Sequence, residues 1–286
     1  MTQTRREFLI TGSAVTAGSI AGLPLLTTSC KQENPLKNIG LITFTIQNEI
    51  RTDYVKALEE VAEIGYKYLE FGGPMGDSPS DFMALLKKLG LTPLAGGSSM
   101  QQMIVKDDLK KMIEESLQLE KKYMVCYWPW LTDALNLTMD ELKGAADNLN
   151  AISLTCKEEG IKFAFHNHDK EFWPIGETIP FDYLLDNTDP QLVSAEMDLY
   201  WIKKGNAGPL PYFEKYPGRF ELIHIKDMDD TEERFFACVG DGIIDFPAIF
   251  AKAGQAGMKY LIVEHDRPAF PMQCIRDSYN YVQSIL

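Results

Sequence analysis

Histidine is scarce in this chain of 286 residues, four in all, and cysteine is little more frequent, with five. So few cysteines exclude a small scaffold stapled by many disulfides. Basic charge is short too. Against 41 Asp and Glu stand 28 Lys and Arg, a net charge of −13. A phosphate backbone is attracted to basic surface, so this deficit excludes nucleic acid as a main partner and argues against electrostatic docking on anionic lipid. No G-x-G-x-x-G follows the first apolar run, and no Pro/Gly/Ser-rich linker interrupts residues 38–286. What remains is an ordinary globular composition, 45% apolar and 24% charged, which excludes a disordered or collagen-like chain.

The first thirty residues read as an address. Arg5-Arg6-Glu7-Phe8-Leu9 precedes an uncharged Gly/Ala/Ser/Thr/Leu-rich run, Ile10 to Leu26. That run is short of the roughly 20 apolar residues of a membrane span. A basic start and a short apolar stretch are the layout of a secretory signal. The segment resembles a twin-arginine export signal, and Leu26-Thr27-Thr28-Ser29-Cys30 resembles a bacterial lipoprotein cleavage site. The expectation is a signal over residues 1–29, lipidation at Cys30, a polar tether over 30–37 and export to the periplasm, with the membrane touched only through the lipid. The other cysteines, Cys126, Cys156, Cys238 and Cys274, show no C-x-x-C spacing and are expected to be buried thiols, although an oxidising compartment permits a bridge.

Residues 38–286 alternate apolar runs of strand length with amphipathic stretches of helix length. Strands are expected at 39–45, 66–71, 92–97, 123–128, 162–166, 192–198, 220–225 and 260–264. Helices are expected over 54–64, 81–89, 107–120 and 139–159, where apolar residues recur at three and four. Asp53 and Ser80 are placed to cap helix starts, and Gly65, Gly90, Gly160 and Gly257 to close helix ends. Eight such units nearly exhaust the chain. The fold class is therefore α/β, a single (β/α)8 TIM barrel over residues 38–286.

A parallel barrel does its chemistry at the C-terminal ends of its strands. All four histidines fall there: His166 and His168 after the fifth strand, His224 on the seventh, His265 after the eighth. Side chains alternate along a strand, so His166, Asp198, His224 and Glu264 can share the barrel axis. Two imidazoles and two carboxylates suit a divalent transition metal, Zn or Mn first, with Mg, Co or Fe as alternatives. His168 competes with His166 for its role, and His265 has the wrong parity. Glu70 ends the second strand, where it can meet substrate, support a ligand or cap the strand. Trp128 and Trp201 are among the aromatics past strand ends that suit stacking on a sugar ring.

The motifs His166-Asn167-His168-Asp169-Lys170-Glu171-Phe172, Met197-Asp198-Leu199-Tyr200-Trp201, His224-Ile225-Lys226-Asp227, Gly240-Asp241-Gly242-Ile243-Ile244-Asp245-Phe246 and Glu264-His265-Asp266 together resemble the xylose isomerase-like barrels, in particular the sugar phosphate isomerase/epimerase branch. The resemblance spans nearly all of residues 38–286. It implies metal ligands at His166, Asp198, His224 and Glu264. It implies proton transfer beside a carbonyl by Glu264 with His166, His168 or Glu171, assisted by Lys226; substrate contacts are expected at Glu70, Trp128, Glu171, Trp201 and Asp266. One departure matters: ketose epimerases of this branch carry a Glu where His166 stands. The leading expectation is a metal-dependent carbohydrate isomerase or epimerase working through an enediolate. The alternatives are a lyase or hydratase eliminating a β-substituent from a keto-sugar or keto-glycoside, and a non-catalytic sugar-binding lipoprotein. An endonuclease on the same barrel is disfavoured by the acidic charge. The expected partner is a small carbohydrate, with a homo-oligomer possible.

Overall fold

Residues 35–286 are described in a computed structural model. The signal segment, the arginine pair and Cys30 lie outside the described residues. Eight parallel strands close into a barrel: β1 (Ile39–Ile42), β2 (Tyr68–Glu70), β3 (Thr92–Ser99), β4 (Tyr123–Trp128), β5 (Lys162–His166), β6 (Val193–Asp198), β7 (Leu222–Ile225) and β10 (Tyr260–Val263). The short strands β8 (Asp227–Met228) and β9 (Phe236–Ala237) form an antiparallel hairpin beyond the end of β7. Closure comes from β10, which pairs with β1 on one side and β7 on the other. β1, β7 and β10 are buried along their whole length and the other barrel strands in part, because helices cover the outer face and side chains fill the axis.

Around the barrel lie α1 (Gln47–Ile64), α2 (Pro79–Leu89), α3 (Met100–Met103), α4 (Lys106–Gln118), α5 (Met139–Glu158), α6 (Pro180–Asp186), α7 (Leu199–Lys204), α8 (Pro209–Lys215), α9 (Phe246–Phe250), α10 (Ala253–Ala256) and α11 (Pro271–Ile285). Leu58, Val61, Phe82, Leu86, Leu149 and Ile275 are the apolar faces these helices turn inward. Thr138 and Glu141 form a reciprocal capping box at the start of α5. Gly90 and Gly257 close their helices in the left-handed region, at φ +69° and +81°.

Four expectations are corrected. The first strand stops at Ile42; Thr43–Ile46 is a 3-10 turn, which leaves Phe44 exposed at the barrel mouth. Ser78 rather than Ser80 caps α2, since its hydroxyl accepts the Asp81 N–H at 3.3 Å. The end of the expected tether belongs to the barrel: Pro35–Lys37 makes a 3-10 turn and Leu36 joins the core. Two of the expected thiols are a disulfide, Cys238–Cys274, with Cα atoms 5.5 Å apart. The two lie 36 residues apart, and the fold brings the segment after β9 against the first turns of α11. Cys126 and Cys156 are buried free thiols, as expected. Asp53 does cap as expected: α1 breaks there, and the carboxylate accepts the Lys56 N–H at 3.0 Å.

Candidate functional site

The strand ends assemble two polar layers. In the upper one, one ligand-type atom each from His166, Asp198, His224 and Glu264 falls within 4.8 Å of all the others, and all four residues are buried. Register explains the convergence: Asp198 is level with His224 on neighbouring strands, and His166 with Glu196. Asp198 is held by its own turn. Its Oδ1 accepts the Trp201 N–H at 2.7 Å at the start of α7, and its backbone N–H donates to Asn167 Oδ1 at 3.0 Å.

A lower layer orients the imidazoles. Glu196 Oε2 lies 3.0 Å from His166 Nδ1, which leaves Nε2 for the cluster. Glu70 Oε2 lies 3.2 Å from His224 Nε2, which leaves Nδ1, 2.7 Å from Glu264 Oε2. Tyr127 donates its hydroxyl to Glu70 Oε1 at 2.7 Å. Carboxylates behind imidazoles fix which ring nitrogen is free, the usual support of a metal-binding histidine.

The donor set fits a divalent cation. Asp198 Oδ2 and Glu196 Oε1 are buried without a hydrogen-bond partner, and two such carboxylate oxygens facing one cluster leave room for a ligand between them. Glu70, Glu196, Asp198 and Glu264 crowd around two imidazoles and one ammonium. Burial pushes the Glu196 carboxyl up to about 8, aided by Glu70 beside it. Burial likewise lifts Asp198 to about 7 against the pull of Lys226. Burial opposes charge on His224, but Glu196, Glu70 and Glu264 outweigh it and hold the imidazole well above its ordinary range. The cluster therefore gathers a positive charge, and a bound cation would displace the proton.

Above the cluster a cavity of about 550 Å³ opens to solvent. His166, His168, His224, Lys226, Glu264, Asp266 and Trp201 line its polar side. Lys226 Nζ pairs with Asp266, lies 3.4 Å from Glu264 Oε2 and sits over the Trp201 and Phe236 rings at 5.1 and 5.0 Å. Burial opposes its charge, yet Glu264, Asp198 and Asp266 hold its pKa above the usual lysine value. It is a fixed cation. His168 stands between Trp128 and Trp201, each ring centroid 5.3 Å away, and its Nδ1 is buried without a partner. Burial, with Lys226 nearby, drops its pKa to about 4, so the imidazole is neutral.

Three expected substrate contacts sit elsewhere. Glu171 is fully buried and accepts the Trp130 indole N–H at 2.6 Å and the His168 backbone N–H at 2.8 Å, so it positions His168 from behind. Glu70 faces His224 from the lower layer. Trp128 packs on His168 and donates its indole N–H to the Thr132 carbonyl at 2.8 Å, outside the cavity wall. His265 is structural at the rim as its parity implies: its N–H donates to Thr45 Oγ1 and its Nδ1 accepts the Arg267 N–H. It stands within 4.8 Å of Cys238 and Cys274, whose thiols the disulfide consumes.

Two features escaped the sequence reading. Asp227 gathers the backbone N–H groups of Met228, Gly240, Gly242 and Ile244 on one carboxylate, shaping the loop beside β7. A Cβ on Gly242 would stand 2.4 Å from that carboxylate, so only glycine fits. Another part of the cavity wall, Ile42, Phe44, Gln47, Ile50 and Arg51, comes from the end of β1, the turn after it and the start of α1. A search for acids and imidazoles at strand ends passes over it.

The description "xylose isomerase-like TIM barrel" matches residues 58–284. An inosose dehydratase of Geobacillus kaustophilus (strain HTA426) is 26% identical over 247 residues, 74% of this chain and 80% of its own. A solved sugar phosphate isomerase/epimerase from Parabacteroides distasonis ATCC 8503 is 27% identical, with a TM-score of 0.73 over 86% of this chain and 93% of its own. The IOLI protein, solved with a zinc atom, shares the fold at 16% identity and a TM-score of 0.68 over 86% of this chain and 96% of its own. Residue chemistry and relatives agree that the protein is an enzyme, which sets aside a non-catalytic binding protein. The chain belongs to the xylose isomerase-like TIM barrel family.

Proposed function

We propose that the protein is a metal-dependent lyase that eliminates a β-substituent from an unphosphorylated keto-sugar, above all a keto-glycoside. The observation that carries this reading is the asymmetry of the base set. Epimerisation asks for a proton acceptor on each face of the reacting carbon. The fifth strand offers no carboxylate to face Glu264, only His166, which turns to Asp198, and His168. His168 lines the cavity and is held neutral, so its imidazole is the ring available to take a proton. One base suffices for elimination. The dehydratase relative, which shares 26% identity, supports the same class.

His166, Asp198, His224 and Glu264 would hold the cation, with Zn or Mn favoured by the mixed N/O set. When bound, a divalent cation there supplies Lewis-acid polarisation of a carbonyl oxygen. His168 takes the proton from the carbon beside the carbonyl, and Trp128 and Trp201 keep water from its ring. The new electron pair forms a C=C bond. The C–O bond one carbon further breaks, and its oxygen leaves with the pair and recovers a proton from His168. Lys226 faces the developing negative charge as a fixed cation. In a hexopyranoside, a ketone at C3 puts the glycosidic oxygen at that position, so such substrates would release their aglycone.

The earlier leading reading, proton transfer without loss of a group, keeps one observation in its favour, the 27% identity to a sugar phosphate isomerase/epimerase. Export and a lipid on Cys30 complete the proposal. The Cys238–Cys274 disulfide supports an oxidising compartment, and mass analysis of the mature N-terminus tests the lipid. For the activity, metal-loaded protein is incubated with a 3-keto-glucoside and the freed aglycone is measured. Release that needs both metal and His168 is expected; an intact glycoside with a shifted ketone overturns the lyase reading.

A further inference from the structure

The cavity is two-sided, and its second side does not suit a bare sugar. The charged and imidazole groups of the metal cluster, with Lys226 and Asp266, line one part of it. The end of β1, the turn after it, the first turn of α1 and the residue after β2 supply another part of the lining, with Ile42, Phe44, Ile50 and Phe71 as apolar surface. Phe44 is 47% exposed at this wall. An aromatic ring left in water beside a catalytic cleft suits stacking on a flat partner. A second sugar would need hydrogen-bond partners along its whole edge; Phe44, Ile42, Ile50 and Phe71 supply none, and Gln47 is already taken by Arg51.

Beside Phe44 stands Arg51. Its guanidinium donates to Gln47 Oε1 at 2.8 Å, and among the described residues no carboxylate lies within ion-pairing range of it. In a protein with net charge −13, a guanidinium left free of carboxylates at the mouth of a cleft is a local exception. Its planar fork matches a carboxylate or a similar oxyanion.

We infer that this wall receives the leaving group, and that the preferred leaving group is an aromatic ring carrying an acidic substituent. The substrate class is then an acidic aryl keto-glycoside, an inference that rests on the lyase reading for its chemistry. The sugar occupies the side of His168 and Lys226, the aryl ring lies on Phe44, and the acid meets Arg51. The step balances without an oxidant or reductant. The α-proton goes to His168, the C=C bond forms, the glycosidic C–O bond breaks, and the aryl oxygen leaves with its electron pair to become a phenol. An aryl oxide is a better leaving group than an alkoxide, so the wall selects substrates that eliminate readily.

Binding tests the wall apart from the reaction. Metal-loaded full-length protein is titrated calorimetrically with unoxidised 4-carboxyphenyl glucoside and with methyl glucoside. The aryl acid is expected to bind at least about tenfold tighter. Phe44→Ala is expected to remove most of that preference and Phe44→Tyr to keep it. Arg51→Gln is expected to remove a few-fold part, the same part that high salt removes. Both side chains are exposed, so neither substitution disturbs the core. Equal affinities for the two glucosides, or a preference that survives both Phe44→Ala and Arg51→Gln, would overturn the inference. The 3-keto forms separate it from the lyase reading. Aryl preference in binding with no aglycone release from any 3-keto-glucoside upholds the wall and rejects the lyase. Equal release from methyl and aryl forms, with no binding preference, does the reverse.

Discussion

The two ends of the barrel handle buried charge in opposite ways. At the N-terminal end Glu221 meets Lys162 at 2.7 Å, Lys259 and the Tyr123 hydroxyl. Burial opposes ionisation of Glu221, but these partners outweigh it and hold its carboxyl below the usual range. The charges of this cluster pair with one another within the chain. At the C-terminal end four carboxylates crowd two imidazoles and Lys226, and two carboxylate oxygens have no hydrogen bond. The first arrangement is complete and holds strands together. The second is complete only with something added. Local conflict of this kind marks a functional site, since it costs stability that the rest of the fold must supply.

The largest way to break this contrast is to remove ligands. His224→Ala and Glu264→Gln are each expected to lower kcat/KM by about a thousandfold or more and to abolish metal retention, read by kinetics and metal analysis. His168→Ala is expected to cost about 10²–10⁴-fold in kcat while the metal stays bound, which separates the base from the ligands. Replacing both Cys238 and Cys274 by Ser is expected to cost about 2–4 kcal/mol, read by denaturant melts, because the bridge closes a long loop. The smallest effects sharpen the comparison most. Asp198→Asn is expected to stabilise metal-stripped protein by about 1 kcal/mol, since it removes a buried charge and keeps the oxygen that caps Trp201. Glu221→Gln is expected to destabilise by about 1 kcal/mol, since it breaks a satisfied cluster. Substitutions of the same sign at both ends would erase the distinction.

Glu171 adds a pH signature. Burial, against the hydrogen bonds from Trp130 and His168, raises its carboxyl to about 7. The unfolded carboxyl ionises near 4.3, so between about 4.3 and 7 the folded state holds the extra proton and stability falls as pH rises. Glu171→Gln is expected to flatten that segment of the pH–stability curve, read by melts across the range.

The barrel was legible because its strands are near-continuous apolar runs separated by helical spacing, and five of the eight strand ends carry acids or imidazoles on a readable parity. His166, Asp198, His224 and Glu264 converge because the parallel register aligns their strands, and register follows from that pattern. What the sequence hides is depth. Glu70 and Glu171 are acids at strand ends like Glu264, yet they lie beneath or behind the cavity, and only packing separates them. The Cys238–Cys274 pairing spans 36 residues, and spacing carries no sign of it. Phe44 and Arg51 resemble ordinary loop residues until the turn after β1 folds them over the mouth.

The measurement that tests the central claim most directly is NMR of metal-loaded protein acting on a 3-keto-glucoside in D₂O. The account expects an unsaturated keto-sugar together with stoichiometric free aglycone, and neither product when His168 is replaced by Ala. A glycoside of unchanged composition, isomerised and carrying deuterium beside its carbonyl, would contradict it.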